Sequence, residues 1–427
     1  MRKCSQMPYH VGIVLRIYPS RRQKHIIAVN DGCERAVYNK LVALNNERHQ
    51  LACAEESVPA YHKRLEYLDS ILQNPDVTLS AAIKNILPFL RGTDVDLQTV
   101  ENAIKNYRAA WKKFRETHTG VPTFHKKSYE QSYQTNCHYK SDARGMADGS
   151  VRFIDSSHII LPVIGKIRCS GSAKRIADIM YRLDTRIGTV MIRKDSVGRY
   201  FASLQLASEN PFVERYPATG AMIGIDLNID NFLWDSNNRV VANPKYRRDV
   251  RHEIASLQRS MSRKAVQAKK QNRSLSDCHN YQKDRVRLAK LQSKVAGRSD
   301  NFRHVISKDL VENQDFIFAE DLKVSNLLKN HRLAFAISES GWSDFLAKLE
   351  YKSAMHGKMF LKVPPHHTTQ TCSSCGHVLS GDEKLTLSDR EWVCPVCGTY
   401  HIRDYNAAKN ILARGLAAMG MTADYEV

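Results

Sequence analysis

The first 117 residues combine one strand pattern with several helical patterns. Residues 10–18 alternate apolar and polar side chains and are rich in β-branched residues, which predicts a β-strand. From Ser20 onward the apolar positions recur every three or four residues, which predicts a long helix. Helices are also predicted over 62–74, 79–89 and 97–117, and the last of them has a clear apolar stripe.

The pattern changes to strands after a basic loop at 119–127 that contains glycine and proline. Segments 150–170 and 186–206 are rich in β-branched and aromatic residues and are predicted to form strands. Because strand 10–18 is of the same kind, we expect one β-rich domain into which the helices are inserted. Residues 211–220 are predicted to be a linker.

A second unit is predicted to begin at residue 221. Short strands over 221–226, 231–235 and 239–242 would form an antiparallel meander. Residues 245–298 have helical periodicity on both sides of a turn at 271–277, which predicts a helical hairpin. Four further elements are predicted beyond it: helix 300–313, strand 316–320, helix 340–357 and strand 358–363.

The charge of the chain indicates what kind of partner it binds. The net charge is +20, and residues 245–298 alone hold 16 Lys/Arg against 4 Asp/Glu. Such an excess favours a polyanionic partner, nucleic acid before membrane, over the alternative of a merely basic soluble protein. No run of about 18 apolar residues and no leader-like apolar segment is found, so we expect a reducing compartment and no membrane partner.

Four of the ten cysteines are spaced as metal ligands. They form two Cys-x-x-Cys knuckles about twenty residues apart, and two such knuckles complete a tetrahedral zinc site. A pair of disulfides is the alternative, which a reducing compartment disfavours. His377 and His401 lie nearby and are expected at the surface or behind the ligands. The predicted structural zinc ligands are Cys372, Cys375, Cys394 and Cys397.

Three acids occupy positions that suggest a second metal site. Asp226 and Glu320 each end an apolar strand, and Asp404 opens a helix seven residues after the last cysteine. Carboxylates brought to one point from buried positions need a divalent cation, and Mg²⁺ prefers carboxylate and phosphate oxygens. Each acid alone is weak evidence, because a strand-end Asp is often a turn cap. Four other acids compete for the role: Asp230, Asp235, Asp321 and Asp389.

At these residues the chain resembles the transposon-encoded TnpB nucleases and the miniature type V CRISPR effectors related to them. The likeness is specific over about 221–415 and weaker near residues 15–19, 36–45 and 110–124. One departure is Ile402, where family members often have an acid two residues before the third catalytic Asp. The motifs that carry the resemblance are Ile223-Gly-Ile-Asp-Leu227, residues 318–327, Val363–Gly376, 387–398 and Arg403–Ile411.

The resemblance implies a multidomain α/β protein whose nuclease domain is RNase H-like (RuvC-like). It implies that Asp226, Glu320 and Asp404 are catalytic and hold Mg²⁺ or Mn²⁺, and that the zinc finger is an insert. The implied division is a wedge β-barrel at 1–19 and 118–215, a helical recognition lobe at 20–117, the nuclease domain at 221–366 and 401–415, the zinc finger at 367–400 and a tail at 416–427.

The resemblance also implies partners and an activity. A guide RNA would pair with target double-stranded DNA, and the protein would read a short flanking motif before cutting. A prokaryotic cytoplasmic, nucleoid-associated location is implied, and the oligomeric state, monomer or dimer, stays open. Two other hypotheses remain: a catalytically silent RNA-guided DNA-binding regulator, and a zinc-dependent DNA-binding protein that uses no guide. The three intact acids favour the enzyme.

Overall fold

The protein has a mixed α/β fold that divides into two compact units, Met1–Phe212 and Val213–Val427. None of the helices in the described part of the chain combines the length and the apolar character needed to cross a bilayer. Residues 422–427 of the predicted C-terminal tail lie outside the described residues. The computed structural model describes residues 4–53, 59–140, 145–171, 173–386 and 388–421.

The first unit is built on a seven-stranded antiparallel sheet with the order β2-β6-β7-β1-β5-β4-β3. Its inward face is an aliphatic core that includes Ile17, Ile159 and Leu204. The strands are β1 (Tyr9–Tyr18), β2 (Gln131–Asn136), β3 (Arg152–Asp155), β4 (His158–Leu161), β5 (Gly165–Ser170), β6 (Thr185–Lys194) and β7 (Tyr200–Ser208).

The helices of the first unit that precede residue 118 form a second core, which includes Leu41, Ile83 and Ile104, whereas Ile176 and Ile179 of the last helix pack into the core of the sheet. A capping box starts the longest helix: the Ser20 side chain accepts a hydrogen bond from the Gln23 backbone N–H, and the Gln23 side chain accepts one from Ser20. The helices are α1 (Arg21–Ala52), α2 (Pro59–Gln73), α3 (Asp76–Ile86), α4 (Leu97–Thr117) and α5 (Ala173–Met180).

The second unit contains a five-stranded mixed sheet with the order β10-β9-β8-β11-β12. The strands β8, β9 and β10 are antiparallel, as the meander predicts, whereas β11 runs parallel to both β8 and β12. A separate two-stranded ribbon pairs β13 with β14. The strands are β8 (Met222–Leu227), β9 (Asn231–Asp235), β10 (Val240–Ala242), β11 (Phe316–Glu320), β12 (Met359–Val363), β13 (Glu391–Val393) and β14 (Tyr400–Ile402).

The helical hairpin of the second unit differs from the prediction in one respect. Its second helix continues without a break to Asn313, so the separate helix predicted over 300–313 is part of it. Gly297 does not interrupt it, because a helical glycine costs only about 1 kcal/mol relative to alanine. The helices are α6 (Tyr246–Asp249), α7 (Arg251–Lys270), α8 (His279–Asn313), α9 (Val324–Leu327), α10 (Ala334–Ser340), α11 (Trp342–His356) and α12 (Arg403–Ala418).

Helix α12 lies against the central strands of this sheet at very close range. A Cβ atom added at Gly224 would lie 2.6 Å from the backbone N of Leu412 and closer still to the carbonyl O of Ala408. A Cβ at Gly415 would collide with the ring of Phe318. The two glycines therefore allow α12, and with it Asp404, to approach β8 and β11.

Candidate active site and zinc centre

Two of the predicted acids lie side by side at one edge of the mixed sheet. Strands β8 and β11 are parallel, and Ile225 is paired with Ala319. Asp226 and Glu320 are the next residues on their strands, so they follow at the same carboxyl-terminal edge. Carboxyl ends of adjacent parallel strands are where α/β sheets commonly place their ligand sites.

The third acid reaches the same edge from a helix. Asp404 is in the first turn of α12, which packs on β8, β9, β11 and β12, and its side chain is nearly buried. Asn228 Nδ2 donates a hydrogen bond to Asp404 Oδ2 at 2.9 Å. Two guanidinium groups flank the carboxylate: Arg403 Nε lies 3.6 Å from Oδ1, and Arg390 lies 4.0 Å from Oδ2.

Asp226 is the acid on which burial and the charges of the other two carboxylates act together. Burial raises the pKa of the Asp226 carboxyl well above its usual range, and the charges of Glu320 and Asp404 raise it further, against an opposing effect of Arg403. Asp226 is only 6% exposed, so water screens this repulsion poorly. A cation between these groups would remove the repulsion.

Glu320 is held by a hydrogen bond from the segment that leads into the first cysteine knuckle. Thr368 Oγ1 donates to Glu320 Oε1 at 2.5 Å, and Thr368 is itself buried. Burial raises the pKa of Glu320, while the Thr368 hydrogen bond and the charge of Arg414 lower it.

The donor chemistry of this cluster fits a hard divalent cation. Three carboxylates provide only oxygen ligands, which suit Mg²⁺ and Mn²⁺ better than soft metals. They are not drawn together as tightly as the cysteines described below, which among the described residues are the group whose potential ligand atoms all lie within 4.8 Å of one another.

Three of the four competing acids have structural partners of their own. Asp230 is exposed and forms an ion pair with Arg390, and Asp321 is exposed beyond the end of β11. Asp235 is buried but caps the turn after β9 by accepting the backbone N–H groups of Asn237 and Arg239 at 2.9 Å. Asp389 accepts the backbone and side-chain bonds of Thr386 at 2.7 Å.

The four clustered cysteines have the geometry of a tetrahedral thiolate site. The Sγ atoms of Cys372 and Cys397 are 3.7 Å apart, as are those of Cys375 and Cys394. Four thiolates bound to zinc at about 2.3 Å would have their sulfur atoms about 3.8 Å apart. The residues present therefore fit a structural zinc ion, and all four are free thiols rather than disulfides.

The two histidines near the zinc centre have different surroundings. His401 is buried, its Nε2 lies 3.0 Å from Cys372 Sγ, and its ring packs on Trp392 at 4.6 Å between centroids. His377 Nε2 lies instead 3.0 Å from Glu383 Oε2. His401 therefore lies directly behind Cys372, whereas the ring of His377 is paired with Glu383.

The sequence did not single out Asn228 or Thr368, each of which contacts one of the acids. Asn228 lies two residues after Asp226, and its amide bonds to an acid 176 positions away. Thr368 lies in an irregular segment between β12 and the zinc knuckle. The only sequence feature that could have pointed to them is weak: each is a polar residue within four positions of a predicted metal ligand.

The basic hairpin, formed by α7 and α8, keeps its charge excess in the fold. Glu253 and Asp284 pair across it with Arg287 at 3.0 Å and Lys264 at 2.5 Å. These pairs use half of the four acids of residues 245–298 and two of the sixteen bases. A strongly cationic helical surface remains.

Comparison with known proteins assigns a class to this combination of fold and site. Three family models match the chain: "Helix-turn-helix domain" of IS605 OrfB over residues 7–52, "Probable transposase" of IS605 OrfB over 203–331, and "Cas12f1-like, TNB domain" over 342–411. The last match spans the zinc centre and Asp404. The chain is thus of the class encoded by IS605-type elements and related to Cas12f1.

Relatives along nearly the whole chain refine this class. A Streptomyces pristinaespiralis protein named "Putative RNA-guided DNA endonuclease" is 31% identical over 409 residues, covering 94% of this chain and 89% of that protein. The Escherichia coli K12 protein "Putative RNA-guided DNA endonuclease InsQ" is 25% identical, with 91% and 88% covered. The chain belongs to the TnpB family.

The fold is similar to one solved structure in particular. The protein in "Cryo-EM structure of the Cas12f1-sgRNA-target DNA complex" superimposes with a TM-score of 0.52 over 94% of this chain and 98% of that one. The two sequences are 14% identical, so the likeness concerns the fold.

Proposed function

We propose that this protein is an RNA-guided DNA endonuclease that cuts target DNA beside a short flanking motif with two divalent metal ions. The observation that carries the proposal is the meeting of Asp226, Glu320 and Asp404 at one sheet edge, where the second and third raise the pKa of the first. The names of the relatives support the same activity. The domain that carries the acids would be RuvC-like, of the RNase H type.

The residues of the site have distinct roles in this proposal. Bound Mg²⁺ or Mn²⁺ would supply activation of water and stabilisation of the leaving oxygen. Asp226 would provide the central carboxylate, because its burial makes it the acid most in need of a cation. Thr368 orients Glu320 through its hydroxyl, and Asn228 orients Asp404 through its amide.

The nucleic-acid partners in this proposal are a guide RNA and double-stranded target DNA. The basic hairpin of α7 and α8 would neutralise phosphates, since a one-signed surface repels itself until a polyanion binds. We also propose the domain division implied by the resemblance, with a wedge β-barrel interrupted by the helical lobe. In it the seven-stranded sheet of the first unit would supply the barrel.

The test is metal-dependent cutting by the protein purified with its own RNA. Wild type should cut a DNA target that matches the RNA only when Mg²⁺ or Mn²⁺ is present, and Asp226→Ala should abolish cutting. Asp321→Ala is the matched control, an exposed acid next to Glu320, and should cut normally.

Two results would contradict different parts of this proposal. Cutting that Asp226→Ala leaves unchanged would remove the acids from the mechanism. Guided DNA binding and biological effect that persist in wild type and Asp226→Ala alike, with no cutting in either, would favour the silent regulator.

A further inference from the structure

The segment between residues 368 and 373 is bonded to both metal centres of the second unit. At its start Thr368 donates to the carboxylate of Glu320 at 2.5 Å. Four residues later Cys372 contributes its thiol to the zinc centre. The segment has no regular secondary structure, so its position depends on what bonds to it.

One side chain of α12 holds the cysteine end of this segment from both sides. The Asn406 amide donates to the carbonyl of Thr371 at 2.7 Å and accepts the backbone N–H of Ser373 at 2.9 Å. These are the residues on either side of Cys372. Asn406 is 1% exposed, so water does not replace either bond.

A second asparagine, one helical turn further along α12, holds the other end. Asn410 Nδ2 donates to the carbonyl of Thr368 at 2.8 Å and to that of Thr371 at 2.7 Å. Residues four apart share one face of a helix, so Asn406 and Asn410 form a single row of amides. The same helix carries Asp404 in its first turn, two residues before Asn406.

We propose that Thr368, Asn406 and Asn410 are positioning residues that couple zinc to the carboxylate site. Zinc would hold Cys372 in place, and the asparagines bond the segment around Cys372 to the helix that carries Asp404. Thr368, at the other end of the same segment, then positions Glu320 through its hydrogen bond. The zinc centre would therefore set the spacing of two metal-binding acids without contributing a ligand to them. This inference rests on the proposed function, because it takes the acids to bind divalent metal.

The measurement is Mn²⁺ affinity at the carboxylates, by calorimetry and electron paramagnetic resonance, on the full chain with its RNA. Thr368→Val keeps the shape of the side chain and removes the hydroxyl. It should keep one zinc per chain and weaken Mn²⁺ binding about 10-fold or more, the usual effect of losing a bond to a metal ligand. Thr368→Ser should restore the affinity. Thr386→Val is the matched control, because its hydroxyl bonds to Asp389 and should not matter.

Variants on the zinc side complete the test. Asn406→Ala and Cys372→Ser should also weaken Mn²⁺ binding, the first with zinc retained, although neither residue is a carboxylate. Wild-type Mn²⁺ affinity in Thr368→Val, or in either of these variants, would overturn the coupling.

The Asp226→Ala variant shows whether only the coupling is wrong or the proposed function is wrong as well. If it weakens Mn²⁺ binding while the other variants do not, only the coupling is wrong. If Asp226→Ala binds Mn²⁺ like wild type, the acids are not the metal site and both proposals fall.

Discussion

Replacing Gly224 with alanine tests how the fold brings Asp404 to the active-site edge. The new Cβ would lie 2.6 Å from the backbone N of Leu412 and closer to the carbonyl O of Ala408, where ordinary contacts are 3.4–4 Å. Both obstacles are backbone atoms of α12, so no side-chain rotation relieves them. The helix or the strand must move by about 1 Å, a form of overpacking that typically costs about 1–3 kcal/mol.

The expected result is a less stable and much slower enzyme. For a unit of this size the cost corresponds to a Tm lowered by roughly 2–12 °C. A displacement of about 1 Å at the reacting groups can reduce the rate by about 100-fold. Thermal unfolding and single-turnover cleavage of a matched DNA target measure the two effects.

The control is a glycine of the same unit that has free space around it. Nothing lies within 4 Å of a Cβ at Gly297 in the middle of α8. Gly297→Ala should leave cleavage unchanged and raise stability by up to about 1 kcal/mol, because alanine favours helix. A Gly224→Ala protein with the Tm and cleavage rate of wild type would refute the close packing of α12 on β8.

Three further predictions concern charge and zinc. Asp226→Asn should stabilise the metal-free protein at neutral pH. Because the pKa of Asp226 is raised in the native state, the wild-type protein loses stability as the pH rises above about 3.8, and the difference in Tm between the variant and wild type should grow with pH. Identical curves of Tm against pH for the two proteins would contradict this prediction. In the first unit, burial raises the pKa of Glu34 to about 7. The free energy of unfolding of wild type, measured in urea, should therefore fall between about pH 4.5 and pH 7, and Glu34→Gln should remove this fall. Unfolding free energies of wild type and variant that change with pH in parallel would disprove it. Elemental analysis should find zinc lost in Cys394→Ser, with the C-terminal part unfolded, and retained in His377→Ala, whose ring bonds to Glu383; zinc loss in the latter would make His377 a ligand.

The parts of the fold that the sequence predicts well are those with a local pattern. Spacing alone identifies the cysteine centre, because each knuckle is a four-residue turn. Strands β8 and β11 are short apolar runs with an acid at or next to the last position, so the positions of Asp226 and Glu320 follow from the run itself. The roles proposed for these acids rest on the family resemblance, because spacing alone does not indicate them.

The parts that were missed depend on partners distant in sequence. Strand β2 is polar along its length and is buried only at Tyr133 and Thr135, so no alternation of apolar residues marks it. Thr368 meets Glu320 across 48 positions. Asn406 and Asn410 bond to backbone atoms of residues 368–373. Backbone atoms are the same in every residue, so the sequence of that segment does not reveal these bonds.

Guide replacement tests whether an RNA directs this protein to its DNA. The RNA that co-purifies with the protein is sequenced, its guide segment is replaced, and cutting is measured on DNA that matches the old or the new guide. We expect one defined RNA species, and cutting in the presence of Mg²⁺ that moves to the DNA matching the new guide. Absence of bound RNA, or cutting that ignores the guide, would contradict it.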